Sequence, residues 1–252
     1  MVLSHRDLGG TGQPPLVILH GLLGSSRNWQ TAGRDLSARF HVFALDLRNH
    51  GGSPHAADMS YAAMMNDVLE WLNAQQLPRV TLMGHSMGGK VAMLLASRHP
   101  ERVARLIIVD TAPKDYFWLA HRAEFGAMNE LDLGSLQSRA EAELRFEARV
   151  DDWAMRKFLA TNLEQTPSGA WRWIVNLPAL TAALPTLEKN PLGPADRFDG
   201  STQLIAGGKS HYVEPGDWGA VTGHFPNARL EIIPHSGHNP HMETREAFVR
   251  LV

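Results

Sequence analysis

The sequence predicts an α/β fold with a mostly parallel sheet covered by helices, and three observations predict it. Short apolar runs rich in branched residues alternate with helix-period segments through the first hundred or so residues. Each run ends where a loop of Gly, Asp or His begins, as expected if functional loops gather at one edge of a parallel sheet. The third run leads through Gly84-His85-Ser86-Met87-Gly88-Gly89 straight into a helical segment, a G-x-S-x-G turn from strand to helix.

The expected strands are Leu16 to Leu19, Val42 to Leu45, Val80 to Met83 and Leu106 to Val109. Between the second and third, Ser60 suits a helix N-cap, and Tyr61, Met64, Met65, Val68, Leu69 and Leu72 share one helical face. The helix after Ser86 carries Val91, Met93, Leu94 and Leu95 and is stopped at Pro100. From about Pro113 to Gly200 the alternation gives way to helical segments rich in Trp, Arg and Glu, without obvious buried strands. Residues 113–200 are therefore expected to form a helical cap inserted into a core of 1–112 and 201–252. Sheet character returns at Gln203 to Ala206 and Leu230 to Ile233, and Thr244 to Val252 reads as a closing helix.

At 252 residues the chain has room for one sizeable core, so one domain with an insertion is expected. A formal charge of −2 with scattered basic residues gives no nucleic-acid footprint, which leaves a small molecule as the expected partner. The absence of cysteine removes disulfides, thiolate metal sites and cysteine nucleophiles. No stretch is long and apolar enough to span a bilayer, and the N-terminus shows no basic segment followed by a signal-length apolar run. A cytoplasmic protein, monomer or homodimer, is expected.

A serine hydroxyl is a poor nucleophile at neutral pH, so Ser86 needs a base within reach and a third group to orient that base. In the chain order that goes with this elbow the base follows the last strand, in Ile233-Pro234-His235-Ser236-Gly237-His238-Asn239-Pro240-His241. His238 follows a glycine, and Glu243 stands five residues on; His235 and His241 are the alternatives. The oxyanion hole requires two backbone N–H groups, expected from Met87 and from Leu22 in the turn His20-Gly21-Leu22-Leu23-Gly24. His20 and His85 are expected to brace these loops without transferring protons.

Together with Asp46-Leu47-Arg48-Asn49-His50-Gly51-Gly52-Ser53-Pro54, these segments resemble the α/β-hydrolase superfamily over essentially the whole chain. Arg48-Asn49-His50-Gly51, Lys90, Asp110-Thr111-Ala112-Pro113 with Asp115-Tyr116, and Gly207-Gly208-Lys209-Ser210-His211-Tyr212-Val213 resemble more narrowly the YbfF-type esterases and the abhydrolase-domain-11 proteins. Most members of the superfamily carry the acid in the loop after the penultimate strand. Here that loop reads Gly207-Gly208-Lys209-Ser210 and has no carboxylate. Asp110 ends the strand that follows the nucleophile strand, and adjacent parallel strands deliver their ends to one edge. The resemblance implies an aspartate at that place with a serine from the later loop nearby, so Asp110 is the expected acid, Ser210 an auxiliary and Asp217 the fallback.

Trp118, Trp153, Trp171, Trp173, Tyr116, Phe117, Phe125 and Phe158 are candidates for an apolar acyl pocket, although aromatic residues more often pack into core. Arg122, Arg172 and Lys209 are candidates for an anionic substrate group, with surface solvation the plainer role. Lys90 is expected to pack its stem and expose its head. The resulting expectation is a serine esterase without a cofactor or metal, acting on acyl esters or thioesters through an acyl-enzyme. Its rivals are other serine-dependent chemistries of the same fold (C–C hydrolysis, perhydrolysis), a metal hydrolase on His235, His238 and His241, and a non-catalytic binding fold.

Overall fold

The computed structural model describes every residue except Trp118, and of Leu119 and Ala120 the backbone alone. The strands are β1 (His5–Asp7), β2 (Pro15–Leu19), β3 (His41–Leu45), β4 (Val80–His85), β5 (Val103–Val109), β6 (Leu163–Gln165), β7 (Trp171–Trp173), β8 (Ser201–Gly207) and β9 (Ala228–Ile233). The α-helices are α1 (Gln30–Leu36), α2 (Tyr61–Ala74), α3 (Met87–Arg98), α4 (Leu119–Glu130), α5 (Arg139–Phe146), α6 (Trp153–Ala160), α7 (Leu177–Leu187), α8 (Trp218–His224), α9 (Pro240–Glu243) and α10 (Arg245–Leu251). Seven strands form one sheet in the order β1-β3-β2-β4-β5-β8-β9, parallel throughout except for β1, which runs antiparallel to β3.

Period-two alternation divides the central strands between two apolar layers. Val17, Leu19, Leu82, Leu106 and Ile108 face one core together with α2 and α3; Leu16, Ile18, Met83, Ile107 and Val109 face the other, with α1 and α10. Each such side chain, fully removed from water, contributes roughly 1.5–3 kcal/mol of transfer free energy. Burial on both faces explains why the strands read as continuous apolar runs. Ser60 caps α2 by accepting from the Ala63 N–H at 3.2 Å, and α3 ends at Arg98, two residues before Pro100.

Two features depart from the expectation drawn from sequence. The short edge strand β1 precedes the expected first strand, and the segment between β5 and β8 contains, besides α4 to α7, a two-stranded antiparallel ribbon of β6 and β7. Its strands are three residues long and mostly half-exposed, too short to give a periodicity. Because β8 pairs with β5 and β9 with β8, the loops that follow all three C-terminal ends lie side by side.

Candidate active site

The β4–α3 turn places Ser86 at φ 51° and ψ −116°, a backbone conformation that costs a non-glycine residue on the order of 1–3 kcal/mol. The sheet holds it there, since the Ser86 N–H donates to the Val109 carbonyl at 3.0 Å. The flanking glycines make the turn sterically possible. A Cβ on Gly84 would lie 2.2 Å from the Gly88 carbonyl oxygen, and one on Gly88 would lie 2.5 Å from the backbone oxygens of Leu19 and His20.

One strand away, Asp110 directly follows β5, also in the left-handed region at φ 49° and fully buried. Its N–H continues the ladder to the Ile205 carbonyl at 2.8 Å. The carboxylate accepts from the Gly207 N–H at 2.9 Å through Oδ1, and through Oδ2 from the Ser210 hydroxyl at 2.5 Å and His238 Nδ1 at 2.7 Å. A buried charge requires this density of donors. Asp217 lies elsewhere: it accepts from Lys114 Nζ at 2.6 Å and from the Glu214 N–H at 2.8 Å.

His238 sits in the loop after β9, and Glu243 shapes that loop by accepting from the Gly237 and Asn239 N–H groups at 2.5 and 3.0 Å. The backbone oxygen of His238 accepts from His85 Nε2 at 2.8 Å, which draws the histidine loop against the elbow. Tyr212 stacks on the His238 ring, centroids 3.5 Å apart and 15° from parallel. With Nδ1 directed at Asp110, the imidazole is held from both its edge and its face.

Leu22, Ser86 and Met87 line one cavity of about 40 Å³. Met87 opens α3, where a helix has no internal acceptor for its first N–H groups. The Leu22 turn closes through the Gly24 N–H to the Gly21 carbonyl at 3.0 Å and is braced by two neutral histidines. His20 donates through Nδ1 to the Gly21 carbonyl (2.8 Å) and accepts the Leu47 N–H at Nε2 (2.9 Å). His50 donates to the Arg48 carbonyl (2.9 Å) and accepts the Leu23 N–H (3.2 Å). Burial keeps both uncharged: His20 lies below its ordinary pKa and His50 is drawn down to about 3. Asn162, between α6 and β6, donates to the Leu23 carbonyl at 3.0 Å.

The alpha/beta hydrolase fold family matches residues 14–244. The chain belongs to that family. Within it, the chain is 34% identical to the sn-1-specific diacylglycerol lipase ABHD11 of Mus musculus (99% of this chain, 83% of that protein). It is also 34% identical to the esterase YbfF of Escherichia coli K12 (94% and 91%). A solved marine microorganism esterase, 33% identical, superposes over all of this chain and 98% of that one with a TM-score of 0.96.

On this hydrolase scaffold one side chain, Lys90, falls outside its expected place, and the other candidates sort between cavity, core and surface. Lys90 does not expose its head: it is 2% exposed, and Nζ donates to backbone carbonyls of residues 187–189. Burial draws this amine down to about 7, opposed by Asp115 and Glu188. Of the eight aromatic candidates, Tyr116 lines the cavity. Phe117 and Trp153 are exposed, Phe125 is buried in the core, and Phe158, Trp171 and Trp173 pack against it. Trp118 lies outside the described residues. Arg122 pairs with Glu188 at 2.5 Å and Arg172 with Glu164 at 2.7 Å, while Lys209 is exposed.

The three histidines of the last loop do not converge. His235 is exposed and His241 stacks on Trp29 at 3.9 Å. Among the described residues, no group of three or more His, Cys, Asp or Glu side chains is placed to hold a metal ion, and no helix is long and apolar enough to cross a membrane. The sequence reading missed Tyr61, His121, Leu184, Leu187, Glu188 and Tyr212 as cavity-lining residues. The Tyr116 and Tyr212 segments carried a family signature, but no local pattern marks the others.

Proposed function

We propose that the chain is a serine esterase that hydrolyses small acyl esters, oxygen esters or thioesters, through an acyl-enzyme on Ser86. The observation that carries the reading is the 2.7 Å contact between His238 Nδ1 and the buried Asp110 carboxylate, in a loop tied to the Ser86 elbow. The names of the similar proteins, esterase and diacylglycerol lipase, support ester hydrolysis as the chemistry. His238 takes the Ser86 proton as the hydroxyl attacks the carbonyl, then returns it to the leaving alcohol or thiol. Asp110 orients the imidazole and stabilises its charged form, and Ser210 holds the Asp110 oxygen that faces the ring. The N–H groups of Leu22 and Met87 receive the charge that develops on the carbonyl oxygen. Water activated by His238 then releases the acid, so every step uses the chain's own groups.

In this reading residues 113–200 act as the cap, since Leu184, Leu187 and Glu188 line the cavity beside Ser86. Cytoplasmic location and a monomer or homodimer go with the proposal, to be tested by cell fractionation and light scattering. Ser86→Ala should abolish p-nitrophenyl butyrate turnover and fluorophosphonate labelling while leaving the melting temperature intact. Asp110→Asn should lower kcat by roughly 10³- to 10⁴-fold, and Asp217→Asn should not. Retained turnover in the Ser86 variant would sink the proposal, and inactivity of the Asp217 variant alone would move the acid.

A further inference from the structure

Lys90 stands one helical turn after Ser86 on α3, and its N–H donates to the Ser86 carbonyl at 3.1 Å. Lys90 and Ser86 line the same cavity, so the lysine stem lies on the side of the nucleophile. Its ammonium donates to Leu187 O at 3.5 Å, Glu188 O at 3.2 Å and Lys189 O at 2.6 Å. Leu187 O and Glu188 O end α7, where a helix lacks internal donors and carries the negative end of its dipole, and Lys189 O follows just beyond it. The core grips the same turn twice more, through the Tyr61 hydroxyl to Leu187 O and the Tyr116 N–H to Glu188 O, both at 2.7 Å. The ammonium also lies 4.8 Å from the Tyr116 ring centre and 5.7 Å from that of Tyr61.

The residues that make this junction also bound the cavity. Tyr61, Lys90, Tyr116, Leu184 and Leu187 line it together with Ser86. Its volume, about 40 Å³, has room for about three water-sized groups. An acyl chain that extends past this volume on the side of Leu184 and Leu187 meets the end of α7, and the Lys90 junction resists its displacement.

We propose that Lys90 is a positioning residue that pins the C-terminal turn of α7 to the nucleophile helix, setting a wall of the acyl site and favouring short acyl groups over long ones. The inference rests on the esterase reading of Ser86. Lys90 touches no reacting atom in it. Methionine at this position preserves the stem's bulk but removes three donors from α7. Leu187 O and Glu188 O still accept from the Tyr61 hydroxyl and the Tyr116 N–H, so the turn loosens without being released.

The test is kcat and KM for p-nitrophenyl acetate, butyrate and octanoate in the whole protein and in Lys90→Met, Lys90→Arg and Tyr61→Phe, with fluorophosphonate labelling and melting temperature for each. The wild type should lose about tenfold or more in kcat/KM between butyrate and octanoate. Lys90→Met should raise the octanoate-to-butyrate ratio about fivefold, chiefly through KM, and Lys90→Arg should return it toward the wild-type value. A merely structural role would lower melting temperature and kcat alike for every chain length, leaving the ratio unmoved. That result overturns the proposal. If Lys90→Met does not fold, Lys90→Gln decides, because its shorter amide leaves the α7 carbonyls without the ammonium; an unchanged ratio there is equally fatal, and Tyr61→Phe reports how much the neighbouring hydroxyl adds. A wild type that is neither labelled nor active fails at the esterase reading, whereas one labelled and active with unchanged variant ratios fails at Lys90 alone.

Discussion

Acidification should destabilise this protein well above the pH at which carboxylates titrate, because histidines with ordinary unfolded pKa values are buried neutral. Burial draws His50 and His241 down to about 3 from 6.5. Between those two values the unfolded chain binds a proton that the folded chain refuses, so stability falls as pH drops through 6.5. At pH 5 an unfolded imidazole is protonated about thirtyfold over neutral, and RT ln 30 is about 2 kcal/mol for each residue. The pair therefore removes about 4 kcal/mol between pH 7.5 and pH 5, a large share of a typical stability of about 5–15 kcal/mol. His20 and His85, also held below the ordinary value by burial, act in the same direction. For His50 the structural cause is visible: protonating Nε2 removes the acceptor of the Leu23 N–H, beside the Leu22 turn. Urea unfolding followed by circular dichroism at pH 7.5, 6 and 5 measures the effect. His241→Phe keeps a ring stacked on Trp29 but cannot titrate, so it should recover about 2 kcal/mol of the loss at pH 5. Stability that is flat over this range in the wild type, or an unchanged pH slope in His241→Phe, would refute the reasoning.

Two further predictions concern the loops around Ser86. Ser210→Ala removes one of three donors to Asp110 and should lower kcat for p-nitrophenyl butyrate about tenfold with KM nearly unchanged, read by steady-state kinetics. Gly88→Ala places a methyl group 2.5 Å from the backbone oxygens of Leu19 and His20, and should cost about 3 kcal/mol or more in urea unfolding, or prevent soluble expression.

The parts legible from the chain alone are those written in consecutive residues. Apolar runs gave the central strands because both faces of a covered parallel sheet demand apolar side chains. Gly84 and Gly88 marked the elbow because backbone contacts of 2.2 and 2.5 Å leave no space for a Cβ. Chain order singled out His238, and the missing carboxylate at Ser210 directed attention to Asp110. Which groups Asp110 and Asp217 meet is set by the sheet: β5, β8 and β9 lie side by side, which brings Asp110, Ser210 and His238 together although the chain separates them by 28 to 128 residues. The burial of Lys90 is invisible along the chain for the same reason. A lysine is normally solvated, and the carbonyls that bury this one lie 97 to 99 residues further on. Its composition and order alone established a serine-bearing elbow on a parallel sheet, because those signals are local steric requirements. The contacts among Asp110, Ser210 and His238 and the size of the cavity beside Ser86 were decided by tertiary packing, since hydrogen bonds and walls assembled from distant segments leave no periodicity along the chain.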